Sequence, residues 1–303
     1  MKKAVWILVV GVLLTARVAG AQLVDEFNVP NANCCLLGTA RSLADQLQDW
    51  NQLGRYHAAN LEVVKRGPES GRVVFMGDSI TDFWRLEESF PGRPYVNRGI
   101  GGQVTSQMLV RMYPDVLALR PAAVVVLAGT NDIARNNGPT TAEMIQQNVM
   151  AMTELAQHHG IKVLLCSILP VSDYPYLAQQ AAPPAAAGAR PGFPGAPGPG
   201  MGRGPMARQR MTTGRPPADI LKLNAWMRSY AQQVNATYVD YFSVLVDDKG
   251  WMKDGLAPDG LHPNAEGYKI MTTVLSEALR QALRETTARS GNARSQLHGR
   301  EDE

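Results

Sequence analysis

VVFMGDSITDFW, residues 73–84, decides how the rest of the chain is read. Its first four residues are β-branched, aromatic or flexible and apolar, which suits a strand buried on both faces. The run then breaks at Gly77 into Asp78, Ser79 and Thr81, small polar groups placed where a strand gives way to a helix. Read alone, "GDS" is a turn and a helix cap, with Asp78 or Ser79 accepting the free N–H groups of the next segment. Read as chemistry, Ser79 is a hydroxyl displayed at the carboxyl end of a strand, where open parallel sheets bind ligands.

Working outward, strand-like runs alternate with helical patterns. RVVFM (72–76), YVN (95–97), AVVVLA (123–128), KVLLCSIL (162–169) and TYVDY (237–241) read as strands. Helices are predicted near 104–118, 140–159, 218–234 and 264–283. For 140–159, Thr140 and Glu143 form a capping box, and Met144, Ile145, Val149, Met152 and Leu155 share a face. Asn264 caps the last helix, whose stripe is Ile270, Val274, Ala278 and Leu279. Such alternation predicts an α/β fold with a parallel sheet covered by helices on both sides.

The flanks differ in composition. Residues 1–21 have "MKK", the apolar run AVWILVVGVLL and a small-residue site "AGA", the pattern of a secretory signal peptide. An uncleaved anchor is the other reading, although the run is shorter than the roughly 20 residues that span a bilayer. The segment removes Lys2, Lys3 and Arg17, so the 30 basic residues become 27, equal to the 27 acidic ones. A neutral chain with no basic stripe interleaved with aromatics is no nucleic-acid binder.

Residues 22–70 form an N-terminal extension, in which Leu43, Leu47, Trp50 and Leu53 predict an amphipathic helix packed on the main domain. Residues 181–217 contain 17 Pro or Gly and five Arg without a carboxylate, and predict a disordered insert. Residues 284–303 read as a polar tail. Of the three cysteines, Cys166 falls in a core strand, and adjacent Cys34 and Cys35 strain a bridge between themselves. They stand as free thiols, bridge another molecule or accept a lipid.

Three further loops belong beside "GDS": NRGIGGQVTS (97–106) after the second strand, AGTNDI (128–133) after the third, and DGLHPN (259–264) before the last helix. If they share one sheet edge, Ser79, Gly102, Asn131, Asp259 and His262 converge on one crevice. A serine hydroxyl needs a base at hydrogen-bond distance, which His262 supplies, and Asp259 fixes the tautomer of the ring. The N–H groups of Ser79 and Gly102 and the amide of Asn131 are donors suited to an oxyanion. Each loop alone also has a plainer account: a turn built on Asn131, or Asp259 and His262 as a surface turn or half a metal site. No Cys or His cluster at ligand spacing completes such a site, and GIGGQV lacks the third glycine of a dinucleotide loop. No metal or cofactor is expected.

The four blocks resemble those of the SGNH, or GDSL, hydrolase family of serine esterases. GDSI (77–80) matches the nucleophile block with Ile80 for the usual leucine, and Gly102, Asn131 and the pair Asp259 and His262 fill the other positions. The resemblance covers about 71–283. It implies a flavodoxin-like three-layer α/β/α sandwich with a mostly parallel five-stranded sheet, and ester hydrolysis through an acyl-enzyme on Ser79, His262 and Asp259, with the oxyanion held by Ser79, Gly102 and Asn131. Ile80 is expected to pack inward, and Asp132 to bond local backbone.

An exported protein, periplasmic or secreted, meets small-molecule or carbohydrate esters such as acetylated polysaccharide. Trp84, Tyr174, Tyr176 and Trp251 are either sugar-stacking surfaces or core. With no long apolar lid segment, short acyl chains are the first expectation. Lysophospholipase, thioesterase, sugar O-acyltransferase and a non-catalytic binding module remain alternatives, and oligomeric state is not legible.

Overall fold

A computed structural model describes residues 35–181 and 210–298. The chain divides into two units after Ala44. The first contributes the start of α1 (Cys35–Gln48), and everything below belongs to the second.

Five parallel strands form the centre: β1 (Val73–Gly77), β2 (Tyr95–Gly99), β3 (Ala123–Leu127), β4 (Lys162–Cys166) and β5 (Thr237–Val239), in the order β2-β1-β3-β4-β5. α2 (His57–Arg66) precedes β1, and between the strands lie α3 (Ser79–Asp82), α4 (Leu86–Ser89), α5 (Thr105–Asp115), α6 (Thr130–Ile133), α7 (Ala142–His158), α8 (Tyr174–Ala181), α9 (Met211–Gly214) and α10 (Pro217–Gln233). α11 (Tyr241–Leu245) and α12 (Ala265–His298) follow β5.

Alternate strand residues feed two cores, since successive side chains point to opposite faces. Val73, Phe75, Val125, Leu127, Leu164 and Cys166 pack with Trp84, Leu86 and Phe90 and with Met271, Leu275 and Leu279 of α12. Val74, Met76, Val124, Val126, Val163 and Leu165 pack on the other face with Met108 and Met112 of α5, Val149 and Met152 of α7, and Tyr230 of α10. The result is a three-layer α/β/α sandwich of flavodoxin-like strand order. Burial on both faces explains why the strands are apolar runs without alternation. Ile80 is 1% exposed and lies in the first core.

β4 and β5 stop three and two residues before their expected carboxyl ends, where polar Ser167 and Asp240 begin the loops, whereas β1 and β2 run one and two residues beyond theirs. Thr141, not Thr140, caps α7, its hydroxyl accepting from Met144 N at 3.2 Å. The buried face of α7 is Ile145, Val149, Met152, Thr153 and Ala156, while Met144 and Leu155 are exposed. In α12, Met271, Leu275, Leu279 and Ala282 are fully buried, and Ile270, Val274 and Ala278 flank them. Both helices roll about one residue from the expected face because the seams of neighbouring elements, and not the widest apolar stripe, fix their rotation. α12 also runs through the expected polar tail as far as His298; that stretch carries no proline to stop it.

Two further expectations fail. Leu47, Trp50 and Leu53 are exposed, not packed. The helix ends after Gln48 because the Asp49 carboxylate accepts from Leu53 N and Gly54 N, both at 2.8 Å, an Asp-built turn that takes residues 50 and 53 off the helical register. The 181–217 insert, expected to be disordered, holds α9 and the first residue of α10. Residues 182–209, the expected signal segment 1–21 and Cys34 lie outside the described residues. Cys166 is a buried free thiol, its pKa pushed up to about 12 by burial, with Tyr241 opposing.

Gly77 closes β1 under severe crowding. A Cβ there would lie 2.1 Å from Thr81 Oγ1 and 2.8 Å from the Leu127 carbonyl oxygen. Gly77→Ala is expected to cost about 1–3 kcal/mol, as overpacked sites do, measured as a lower denaturation midpoint at unchanged m-value. A neutral substitution would mean that α3 is not tightly seated on β1 and β3.

Candidate active site

Because every strand runs the same way, the loops after β1, β2 and β3 emerge at one edge, and the order reverses between β1 and β3. Open sheets of this kind bind ligands at that reversal. Ser79 stands there as the first residue of α3, with Asp78 capping the turn by accepting from Ile80 N at 2.9 Å. Asp78 is therefore the cap of α3, and the Ser79 hydroxyl is not used for it.

Ser79 Oγ lies 2.8 Å from His262 Nε2, across 183 positions of chain. His262 Nδ1 lies 2.5 Å from Asp259 Oδ2, and the other Asp259 oxygen accepts the N–H groups of Leu261 at 3.0 Å and His262 at 2.8 Å. Burial pushes the Asp259 carboxyl up, but the His262 ring and these two N–H groups more than offset it and hold it at about 2. An ionised carboxylate only accepts, so Nδ1 carries the ring proton, and in the neutral ring Nε2 is left as acceptor for the serine hydroxyl.

The candidate oxyanion groups surround Ser79. Gly101 packs against it, so that a Cβ on Gly101 would sit 3.6 Å from Ser79 Cβ. Gly102 follows at φ +82° with open space around it. Its left-handed backbone is one that glycine adopts without strain. Among the described residues no acceptor takes the N–H of Ser79 or of Gly102.

Asn131, the second residue of α6, is buried. Its Nδ2 donates to the Gln103 carbonyl at 3.1 Å, and its Oδ1 accepts from Asn136 Nδ2 at 2.8 Å. Asp132 turns away and accepts from Thr105 N at 3.0 Å and Thr105 Oγ1 at 2.5 Å, pinning the start of α5; burial raises its pKa against those bonds. Asp78 is pushed up to about 6 by burial, opposed by Ile80 N–H and by the charges of His262 and Arg215.

Three contributors escape sequence reading. Gln103 links the second block to the N-terminal segment: its amide donates to Asn51 O at 3.0 Å and accepts from Arg111 Nη1 at 2.5 Å. The ring of Phe83, 49% exposed, lies 5.3 Å from the His262 ring. Arg215, from the end of the insert, donates to Asn131 Oδ1 at 3.3 Å. Of these, only Phe83 left a sequence signal, as an aromatic four residues past the serine. Trp84 is core at 3% exposure, whereas Tyr174 and Trp251 meet edge to face at 5.2 Å with Lys249 above them. Among the described residues no three His, Cys, Asp or Glu side chains form a group able to hold a metal, and no helix is long and apolar enough to cross a membrane.

Residues 75–270 match the model of the GDSL-like lipase/acylhydrolase family. The chain belongs to that family of ester-cleaving enzymes. A proposed acylhydrolase from Bacteroides fragilis is 33% identical, with 78% of this chain and 99% of that one covered at a TM-score of 0.63. A GDSL-like lipase from Bacteroides thetaiotaomicron is 30% identical, with coverage of 77% and 100% and a TM-score of 0.62. An uncharacterized lipoprotein of Bacillus subtilis, YqeF, is 32% identical over 81 residues, which span 26% of this chain and 33% of that one. The matched part is thus about a third of the curated relative.

The Asp259 carboxyl, held at about 2 against ~3.9 in an unfolded chain, stabilises the fold above pH ~4, and that contribution is lost as pH falls through 2. Asp259→Asn is therefore expected to lower Tm at pH 5–7, with the gap to the parent narrowing between pH 4 and 2. A gap that widens on acidification would show that the carboxylate is not the stabilised form.

Proposed function

We propose that this GDSL-family acylhydrolase is an extracytoplasmic serine esterase acting on short-chain esters through Ser79, His262 and Asp259. The observation that carries the reading is the unbroken chain from Ser79 Oγ to His262 Nε2 at 2.8 Å and from His262 Nδ1 to Asp259 at 2.5 Å.

Ser79 Oγ attacks the ester carbonyl as His262 Nε2 takes its proton, and Asp259 stabilises the imidazolium that results. The carbonyl oxygen, now anionic, accepts from Ser79 N–H, Gly102 N–H and the second N–H of the Asn131 amide. Collapse expels the alcohol, to which His262 returns the proton. Water then repeats the sequence on the acyl-enzyme and releases the acid. The half-exposed ring of Phe83 beside His262 is an apolar wall for the acyl or leaving group.

Export is supported by the leader pattern of residues 1–21 and by the likeness to a lipoprotein. Carbohydrate esters are supported by the Tyr174 and Trp251 pair, both half-buried with rings partly open to solvent.

The purified chain is expected to cleave p-nitrophenyl esters, fastest at two to four carbons and falling off toward twelve. Ser79→Ala should abolish turnover and labelling by a serine-directed phosphonate, and Asn131→Ala should lower kcat on the order of 10²-fold. Turnover that needs an added sugar acceptor would make the protein a transferase instead. Full activity in Ser79→Ala would discard the serine mechanism.

A further inference from the structure

Residues 210–217, at the end of the insert, bridge two of the loops that build the site. On one side, buried Asp173 accepts from Thr212 N at 3.1 Å and from Thr212 Oγ1 at 2.6 Å, fixing α9 beside the segment after β4. Met211 lies over Gly260, the residue after Asp259; a Cβ there would come within 3.1 Å of Met211 Cγ. Ser172 N donates to the Gly260 carbonyl at 2.7 Å, which ties the same segment to the Asp259 loop. On the other side, Arg215 reaches the Asn131 loop. Its Nε donates to Thr130 O and Thr130 Oγ1, both at 3.1 Å, and its Nη2 to Asn131 Oδ1 at 3.3 Å.

Arg215 is half-buried, yet among the described residues it forms no ion pair with a carboxylate. Burial lowers its pKa, opposed by the charges of Asp78 and Asp259, neither of which it bonds directly. Its guanidinium instead spends donors on a carbonyl, a hydroxyl and the oxygen of one asparagine amide. That amide is held from both ends. Two donors, from Arg215 and Asn136, converge on Oδ1, and one acceptor, Gln103 O, faces Nδ2. A 180° flip would set NH₂ against two donors and oxygen against a carbonyl, losing all three bonds. A charged donor on Oδ1 also polarises the amide and strengthens its N–H groups as donors, as happens along hydrogen-bonded chains.

We propose that Arg215 is a positioning residue for the reaction, orienting and polarising the Asn131 amide so that its second N–H meets the developing oxyanion. This rests on the reading of Asn131 as an oxyanion donor. The last residues of the insert then contribute to the site from outside the four motif blocks.

The test is a double-mutant cycle on p-nitrophenyl acetate with Arg215→Ala, Asn131→Ala and the pair. Arg215→Ala is expected to lower kcat about 10-fold with KM within about twofold, less than the ~10²-fold loss on deleting the donor itself. In the Asn131→Ala background the same change should cost almost nothing, because its target is gone. Arg215→Lys should recover only part of kcat, since one ammonium cannot hold Thr130 and Asn131 together. Should Arg215→Ala fold poorly, Arg215→Met keeps the aliphatic stem, and Asn136→Ala removes the other donor to Oδ1; both should show the same non-additive loss. Multiplicative losses in the pair, or a change confined to KM, would overturn the role of Arg215 while leaving Asn131 in place. An Asn131→Ala variant with full kcat would overturn both readings together.

Discussion

The 2.8 Å contact between Ser79 and His262 constrains everything around it, because it joins groups 183 residues apart. It requires that the loop after β1 and the loop before α12 reach the same rim. A sheet whose strands all run in one direction meets that requirement, since each crossover helix returns the chain to the opposite end before the next strand starts. Gly77 then allows α3 to turn off β1 within one residue, against the Leu127 carbonyl and Thr81. The fold works here as a device that repeats one loop position several times, so that residues distant in sequence share an edge.

Electrostatics divide the carboxylates at this rim. Asp259 has a ring N–H and two backbone N–H groups to accept, and is held low. Asp78 has one backbone donor and complete burial, and is pushed up. Asp132 is spent on Thr105 and anchors α5. The three aspartates thus differ in burial as well as in the donors around them, and of the three it is Asp259 that is bonded to the imidazole.

Support for the site comes from outside the four blocks. From the N-terminal side, Asn51 and Asn60 meet Gln103, Arg98 and Asp115, so that the loop bearing Gly102 is held by the second unit's own leading segment. From the other side, Arg215, the residue after α9, holds the Asn131 loop. These anchors are polar and largely buried, and a polar network of this kind positions groups more firmly than apolar packing does, provided its members are satisfied.

By itself, the sequence determined the strand and helix alternation, the burial of Ile80 and the four blocks, because strand composition, capping residues and short motifs are local properties. Ser79, Gly102, Asn131, Asp259 and His262 were picked out that way as candidates. Only the tertiary structure decided that Thr141 and not Thr140 caps α7, that α7 and α12 roll by a residue, that Leu47, Trp50 and Leu53 face solvent, and that Arg215 belongs beside Asn131. Rotation of a helix, the start of a short helix in a Pro- and Gly-rich run, and the partners of one guanidinium depend on which surfaces meet. Contacts between distant segments write no period or spacing into the chain that forms them.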